Sequence, residues 1–188
     1  MPTSATPAPV RRTRQEQRAA TRATLLDAAA DVFARHGFHA ATVDQVAEAA
    51  GLTKGAVYSN FENKEDLFLS VLEHRLDPFP ADLASAFESH DRTWLLLKTE
   101  FWLHAMRDPD VRFKLAARSR VLRDRVAALV DQAAAERGVP LPATAPEVAS
   151  IVLALSDGLA VQALIDSASV PDDLFARALA IVLGDASS

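Results

Sequence analysis

The chain predicts an all-α protein, and three observations carry that prediction. Apolar residues recur at spacings of three and four along nearly every segment, as they do on a helix with one face in a core. Residues that start helices stand before these segments, and glycine or proline stands after them. No run alternates apolar and polar residues as a half-buried strand would, and no glycine-rich phosphate loop or internal repeat interrupts the pattern. The 188 residues are 49% hydrophobic, enough for one compact domain or two small ones.

Residues 1–10 are rich in Pro, Ala and Thr and poor in large apolar side chains, so residues 1–13 are expected to form a disordered basic arm. A first helix is expected over 15–36, with Leu25, Leu26, Ala29, Val32 and Phe33 inward and Gly37 as its C-terminal stop. Thr42-x-x-Gln45 has the form of a capping box and opens a second helix through Val43, Val46, Ala47 and Ala50. Gly51 permits the left-handed backbone of a tight turn, and Thr53 caps the next helix. There Val57 and Phe61 lie four apart and face inward. Asn63 suits the N-cap of a fourth helix through Leu67, Phe68, Val71 and Leu72, which Pro78 and Pro80 end.

A further helix is expected over 81–89, and Asp91 caps the one that runs to 107. Asp108-Pro109 reads as an N-cap followed by proline at the first helical position. From it a helix or helix pair extends to 137, closed by Gly138 and Pro140. Thr144-x-x-Glu147 is another capping box, with Pro146 in the first turn of a helix to about 166. Pro171, Asp172 and Asp173 start a last helix that ends at Gly184.

Two of these helices, joined at Gly51, form a helix-turn-helix. The second leaves Thr53, Lys54, Gly55, Ala56, Ser59 and Asn60 outside, small or polar, with nothing bulky to prevent approach to base edges. A helix entering the major groove needs such a surface. Overall charge does not point the same way. Residues 1–75 carry 9 Lys+Arg and 9 Asp+Glu, net zero, while residues 76–188 carry 11 and 16, net −5. Positive charge is local: Arg11, Arg12, Arg14, Arg18 and Arg22 face Glu16 alone, a net of +4. Such an arm neutralises phosphates or reaches a minor groove, although Arg11 to Arg14 fit a solvated tail as well. Arg18 and Arg22 fall on the start of the first helix, where phosphate contact is more natural.

Residues 24–68 resemble the DNA-binding region of TetR-type transcriptional regulators. The resemblance lies in the first-helix pattern, the Gly37-Phe38 stop, the Ala50-Gly51 turn and the Tyr58-x-x-Phe61-x-x-Lys64 exit. The position before Phe61, often His in that family, is Asn60 here. The resemblance implies that Thr42, Tyr58 and Lys64 contact phosphates. It also implies that Lys54, Gly55 and Ala56 lie deepest in the groove, with Lys54 at guanine acceptors or a phosphate and Ala56 at a thymine methyl. For Thr42 capping competes with phosphate contact, and for Tyr58 packing under the turn does. The expected domains are a helix-turn-helix domain over 14–62 and a ligand-binding and dimerisation domain over 63–188.

In the later segment the helix from Glu147 is apolar on more than one face, through Val148, Ile151, Val152, Leu155, Leu159, Val161 and Leu164. Ala149, Ala154, Gly158, Ala160 and Ala163 between them allow close backbone approach. A helix apolar nearly all round must be buried nearly all round. The last helix, with Phe175, Leu179 and Val182, covers only part of it. A partner subunit could cover the rest in a four-helix bundle, as the resemblance implies; burial within one subunit is the alternative. The expected interface is Ile151, Leu155, Leu159, Ala163, Phe175, Leu179 and Val182, and a two-fold dimer implies a roughly palindromic operator.

Both tryptophans and four of the nine phenylalanines fall within 79–113. Taken singly, Phe79, Leu83, Phe87, Trp94, Leu97, Phe101, Trp102, Phe113, Leu122 and Val126 read as ordinary core. The resemblance places a cavity for a small-molecule effector among them, and an aromatic, mostly apolar lining suits one. His104 and Asp157 are the polar groups to watch. Asp157 within an apolar helix needs a partner, which Arg118, Arg120 or a ligand would supply.

Other classes fare poorly. There is no cysteine, hence no disulfide or thiolate metal site, which suits a reducing cytoplasm. The start MPTSATPAP lacks the apolar stretch of a signal peptide, and no run approaches 18 uninterrupted apolar residues, so no membrane span is expected. Of the five histidines only His36-x-x-His39 has zinc-type spacing, and it straddles the Gly37 stop without other ligands. No nucleophile motif occurs. The expectation is a cytoplasmic, homodimeric, ligand-responsive DNA-binding repressor without enzymatic activity, metal or cofactor. The competing reading is a helical small-molecule-binding or partner-interaction protein that does not use DNA.

Overall fold

The structure, a computed structural model, describes residues 13–77, 79–83, 87 and 91–184. It divides into two compact units, Met1–His74 and Arg75–Ser188. Among the described residues every regular element is helical. Residues 1–12, most of the expected disordered arm, lie outside the described residues.

The first unit is built on α1 (Arg14–Ala40). Its start is fixed by a capping box: the Thr13 hydroxyl accepts from Glu16 N (3.2 Å), and the Glu16 carboxylate accepts from Thr13 N (2.7 Å). Gly37, at φ 76°, breaks the helix where the sequence placed its stop, and one more turn follows to Ala40. That break swings Phe38 into the core beside Phe33 and Phe68, whose ring centres lie 5.0–6.1 Å apart. Edge-on and offset contacts of this kind add to the burial of the rings. α1 packs against α2 (Val43–Ala49) and α4 (Lys64–His74), with α3 (Lys54–Tyr58) between them in sequence. Leu25, Ala29, Val46, Val57, Phe61 and Leu67 complete the core.

Asn63 Oδ1 accepts from Asp66 N (2.8 Å) and so caps α4 as its residue type predicts. The position of α4 differs from the expected division at 62/63. Leu67, Phe68, Leu69 and Val71 are buried against the first unit's own helices, so α4 belongs to that unit and the division falls after His74.

In the second unit α5 (Arg92–Arg107), α6 (Pro109–Arg137), α7 (Ala145–Ile165) and α8 (Leu174–Val182) follow the expected start and stop signals closely. Asp91 Oδ1 accepts from Thr93 N (3.0 Å), and Asp108 Oδ1 accepts from Asp110 N (2.9 Å) with Pro109 in the first turn. Gly138, at φ 67°, ends α6, which is one helix and not a pair. α6 and α7 form the central pairing. Val126, Ala127, Leu129 and Val130 meet Val148, Ala149 and Val152, with Leu83 and Leu183 in the same cluster. The helix expected over 81–89 falls mainly outside the described residues, and residues 81–83 form a bend and turn.

Polar residues interrupt the apolar run of α7, yet among the described residues it is the one helix long and apolar enough to cross a membrane by length and composition. Its inner face nevertheless packs on α6, and its Asp157 is paired with a lysine of α5. Only 28% of its most apolar stretch is buried within the chain.

Candidate nucleic-acid interface

α2, the turn and α3 set the geometry of the candidate site. The Thr42 hydroxyl accepts from Gln45 N (3.3 Å), and the Gln45 side chain accepts from Thr42 N (2.9 Å). Capping therefore uses the Thr42 hydroxyl, which stays at the surface. At the C-terminus of α2, Gly51 N donates to Glu48 O (3.0 Å) and Leu52 N to Ala47 O (2.9 Å), with Gly51 at φ 64°. A side chain would be strained there. Thr53 then caps α3 by accepting from Ala56 N (3.2 Å).

α3 buries one residue, Val57, and its exit buries Phe61. Thr53, Lys54, Gly55, Tyr58 and Ser59 are exposed, and Ala56 and Asn60 are half-buried. Tyr58 is 51% exposed, the largest apolar surface that this helix presents. A Cβ built on Gly55 meets only the Thr53 hydroxyl at 3.7 Å, so Gly55 keeps the surface low without being required by packing.

Lys54 Nζ lies 2.9 Å from Asp44 Oδ2 of α2. The hydrogen bond to Asp44, and secondly its charge, hold the Lys54 ammonium above the usual lysine range. Both side chains are more than half exposed, so water screens the pair. The contact orients Lys54 along the outer face of the two helices without locking it.

Two of the expected residues turn inward. Lys64 Nζ donates to the carbonyls of Phe38 (2.9 Å), His39 (3.1 Å) and Ala41 (3.1 Å) and sits 4.7 Å from the Phe38 ring centre. All three ammonium protons thus close the C-terminal end of α1, where carbonyls lack helical partners and positive charge is favoured. Arg22 donates from Nη1 to Asn60 O (3.2 Å) and from Nη2 to Ser70 Oγ (3.1 Å). Neither cation has the exposed, outward geometry that phosphate contact assumed. Arg18 remains exposed. With Arg14, Gln17 and Thr21 of α1 and Ser59 and Asn60 past α3 it lines an open groove of about 570 Å³. Arg14 and Thr21 lie one turn either side of Arg18, and Gln17 lies one turn from each of them. That spacing was legible in the sequence, but which face met α3 was not.

The second unit places the expected effector residues in different settings. Leu83 and Val126 are buried in the α6–α7 cluster, with Phe79, Phe87 and Leu122 packed against it. Leu97 and Phe101 are buried on α5, while Trp94, Trp102 and His104 are half-buried. The Arg75 guanidinium lies 4.1 Å from the Trp94 ring centre, and Lys98 Nζ lies 5.1 Å from that of Trp102. Phe113 departs from expectation: it is 72% exposed on α6, so among the described residues it encloses no cavity.

Asp157 pairs with Lys98, a partner that residue type and spacing had not singled out. Of the expected interface, Ile151 is 46% exposed, and Leu155, Leu159 and Ala163 are half-buried. Phe175, Leu179 and Val182 instead pack on the unit's own core, Phe175 5.0 Å from Phe87 between ring centres. Ile165 and Ile181, absent from the expected interface, are the most exposed large apolar residues of α7 and α8, at 83% and 68%.

A capped helix pair with a low outer face, followed by a separate helical unit, defines a helix-turn-helix protein with a second, all-α domain. Residues 25–71 match the model of bacterial regulatory proteins of the tetR family, and residues 81–184 match the C-terminal model of BetI-type transcriptional repressors. The chain belongs to the TetR family. The transcriptional repressor AcnR of Corynebacterium diphtheriae is 32% identical over 117 residues, covering 56% of this chain and 60% of that protein. The transcriptional activator FasR of Mycolicibacterium smegmatis is 37% identical over 68 residues, 36% of this chain and 31% of that one. Both matches span less than two thirds of the relative's length. A putative TetR-family regulator from Rhodococcus sp. shares the fold at a TM-score of 0.71 and 22% identity, covering 88% of this chain and 100% of that chain.

Proposed function

We propose that the protein is a homodimeric, ligand-responsive transcriptional repressor of the bacterial cytoplasm that binds a palindromic operator through α3. One observation carries the reading: α3 is capped by Thr53, anchored by Val57 and Phe61, and presents Lys54, Gly55, Ala56 and Tyr58 on an uncrowded outer face. A protein that did not use DNA would have no need of that surface. Lys54 is the base-edge or phosphate cation, and the Tyr58 hydroxyl a phosphate contact. Arg14 and Arg18 flank Ser59 and Asn60 in a groove suited to the sugar–phosphate backbone. Thr42 adds its surface hydroxyl at the start of α2.

Dimerisation is supported by the little-covered α7 and by Ile151, Ile165 and Ile181 in the same unit. The effector is an apolar or aromatic small molecule taken up by the second unit, where Trp102 and the Lys98–Asp157 pair stand at half-buried positions. Effector and operator then oppose each other by a coupling of about 1–3 kcal/mol.

Replacing Lys54 and Tyr58 together by Ala is expected to abolish binding to the sequence the wild-type protein selects, with helical content unchanged. Retained operator affinity in that variant would overturn the assignment of α3.

A further inference from the structure

The Arg22 guanidinium joins three helices of the first unit. It is carried by α1, it binds the backbone carbonyl of Asn60 just past α3, and it binds the hydroxyl of Ser70 on α4, at 3.2 and 3.1 Å. The Phe61 ring lies beneath it, 4.4 Å from guanidinium carbon to ring centre. Ser70 is 3% exposed, and its position in the core is accounted for by this bond. Asn60 is tied a second way, since its side-chain amide donates to Ala56 O within α3 at 2.8 Å.

α3 has five residues and one buried anchor. A helix so short does not hold its own direction by internal hydrogen bonds, so its angle is set by what grips its ends. At the N-terminal end the grip is the Thr53 cap and the Gly51 turn. At the C-terminal end it is the Arg22 fork. A planar guanidinium donates to two acceptors at a fixed angle while stacking on a ring, which a lysine ammonium cannot reproduce.

We propose that Arg22 is a positioning residue for base readout: its bridge from Ser70 to the Asn60 carbonyl sets the angle at which α3 is presented, and it does not itself touch DNA. The proposal rests on the DNA-binding reading above. It replaces the phosphate contact that the sequence suggested, and the two roles respond differently to substitution.

The test uses the full chain as wild type, Arg22→Lys, Arg22→Gln and Ser70→Ala. Affinities are measured for the selected operator and for an unrelated duplex of equal length, each across a salt series. Positioning requires that Arg22→Lys, which keeps the charge, lose about tenfold or more in operator affinity, the scale of a misread base pair. Its affinity for the unrelated duplex and its salt slope stay close to wild type. Ser70→Ala, whose hydroxyl is buried, moves the operator-to-unrelated ratio in the same direction by a smaller factor.

Near wild-type behaviour of Arg22→Lys, with Arg22→Gln weakening both duplexes and lowering the salt slope by about 0.9, would establish a phosphate contact and overturn the proposal. Equal loss on both duplexes, with the ratio unchanged, would show mere destabilisation of the unit and overturn it too. If wild-type protein shown to be folded prefers no sequence, the DNA reading itself fails, a result distinct from either of these.

Discussion

The two units treat apolar surface in opposite ways. In the first, Phe33, Phe38, Phe61 and Phe68 are all at most 2% exposed, and Tyr58 is the large apolar residue left outside among those described. In the second, Leu96, Leu103, Met106, Phe113, Val121, Ile151, Ile165 and Ile181 all lie outside. One unit is complete as a folded object and offers a polar face with a single exposed ring. The other leaves large apolar residues outside its own helices, as the proposed dimerisation and effector binding require.

The contrast can be broken most forcefully at α7 and α8. Replacing Ile151 and Ile181 together by Glu is expected to convert the proposed dimer to monomer. Each charge left unpaired in an apolar interface costs about 3–5 kcal/mol. Sedimentation at micromolar concentration reads the outcome, and an unchanged mass would place the interface elsewhere.

Two phenylalanines sharpen the comparison next. Phe33→Ala empties a site within the ring cluster and should destabilise the first unit by about 3–5 kcal/mol. Phe113→Ala removes an exposed ring, so less than about 0.5 kcal/mol is expected in denaturant unfolding. A large cost at Phe113 would show that something covers it in solution.

The smallest effect concerns Glu147 at the start of α7. Hydrogen bonds from the Thr144 hydroxyl (2.6 Å) and, secondly, from Thr144 N (3.0 Å) hold its carboxyl below the usual carboxylate range. A depressed carboxyl contributes stability above its unfolded value and loses it as pH falls through its folded value. Wild type and Glu147→Gln should therefore differ slightly in thermal midpoint at neutral pH and converge in acid. A difference that grows in acid would contradict this assignment.

Much of the fold was legible because its signals are local. Asp91, Asp108, Asn63, Thr42 and Gly138 each act within four residues of themselves, so residue type and spacing suffice to place the helix ends. The outer face of α3 was legible for the same reason, since Val57 and Phe61 fix which side is buried. What escaped was long-range. Arg22 meets acceptors 38 and 48 residues away, Lys64 meets carbonyls 23 to 26 away, and Lys98 meets Asp157 at a separation of 59. A cation at the surface and one folded back on carbonyls have the same residue type and helical position. Phe113 escaped because α6 mixes apolar and charged residues on all its sides, so its pattern does not say which side is buried.

Whether this chain reads DNA sequence is decided most directly by one measurement. Purified protein is offered a pool of random duplexes at about 0.1 M salt, where binding driven by phosphates alone is weakened, and the bound fraction is sequenced. The expected result is a single enriched motif with two-fold symmetry, matching a pair of α3 helices on a dimer. Protein that is folded and dimeric yet enriches no motif would contradict the account and favour a helical binding protein that does not use DNA.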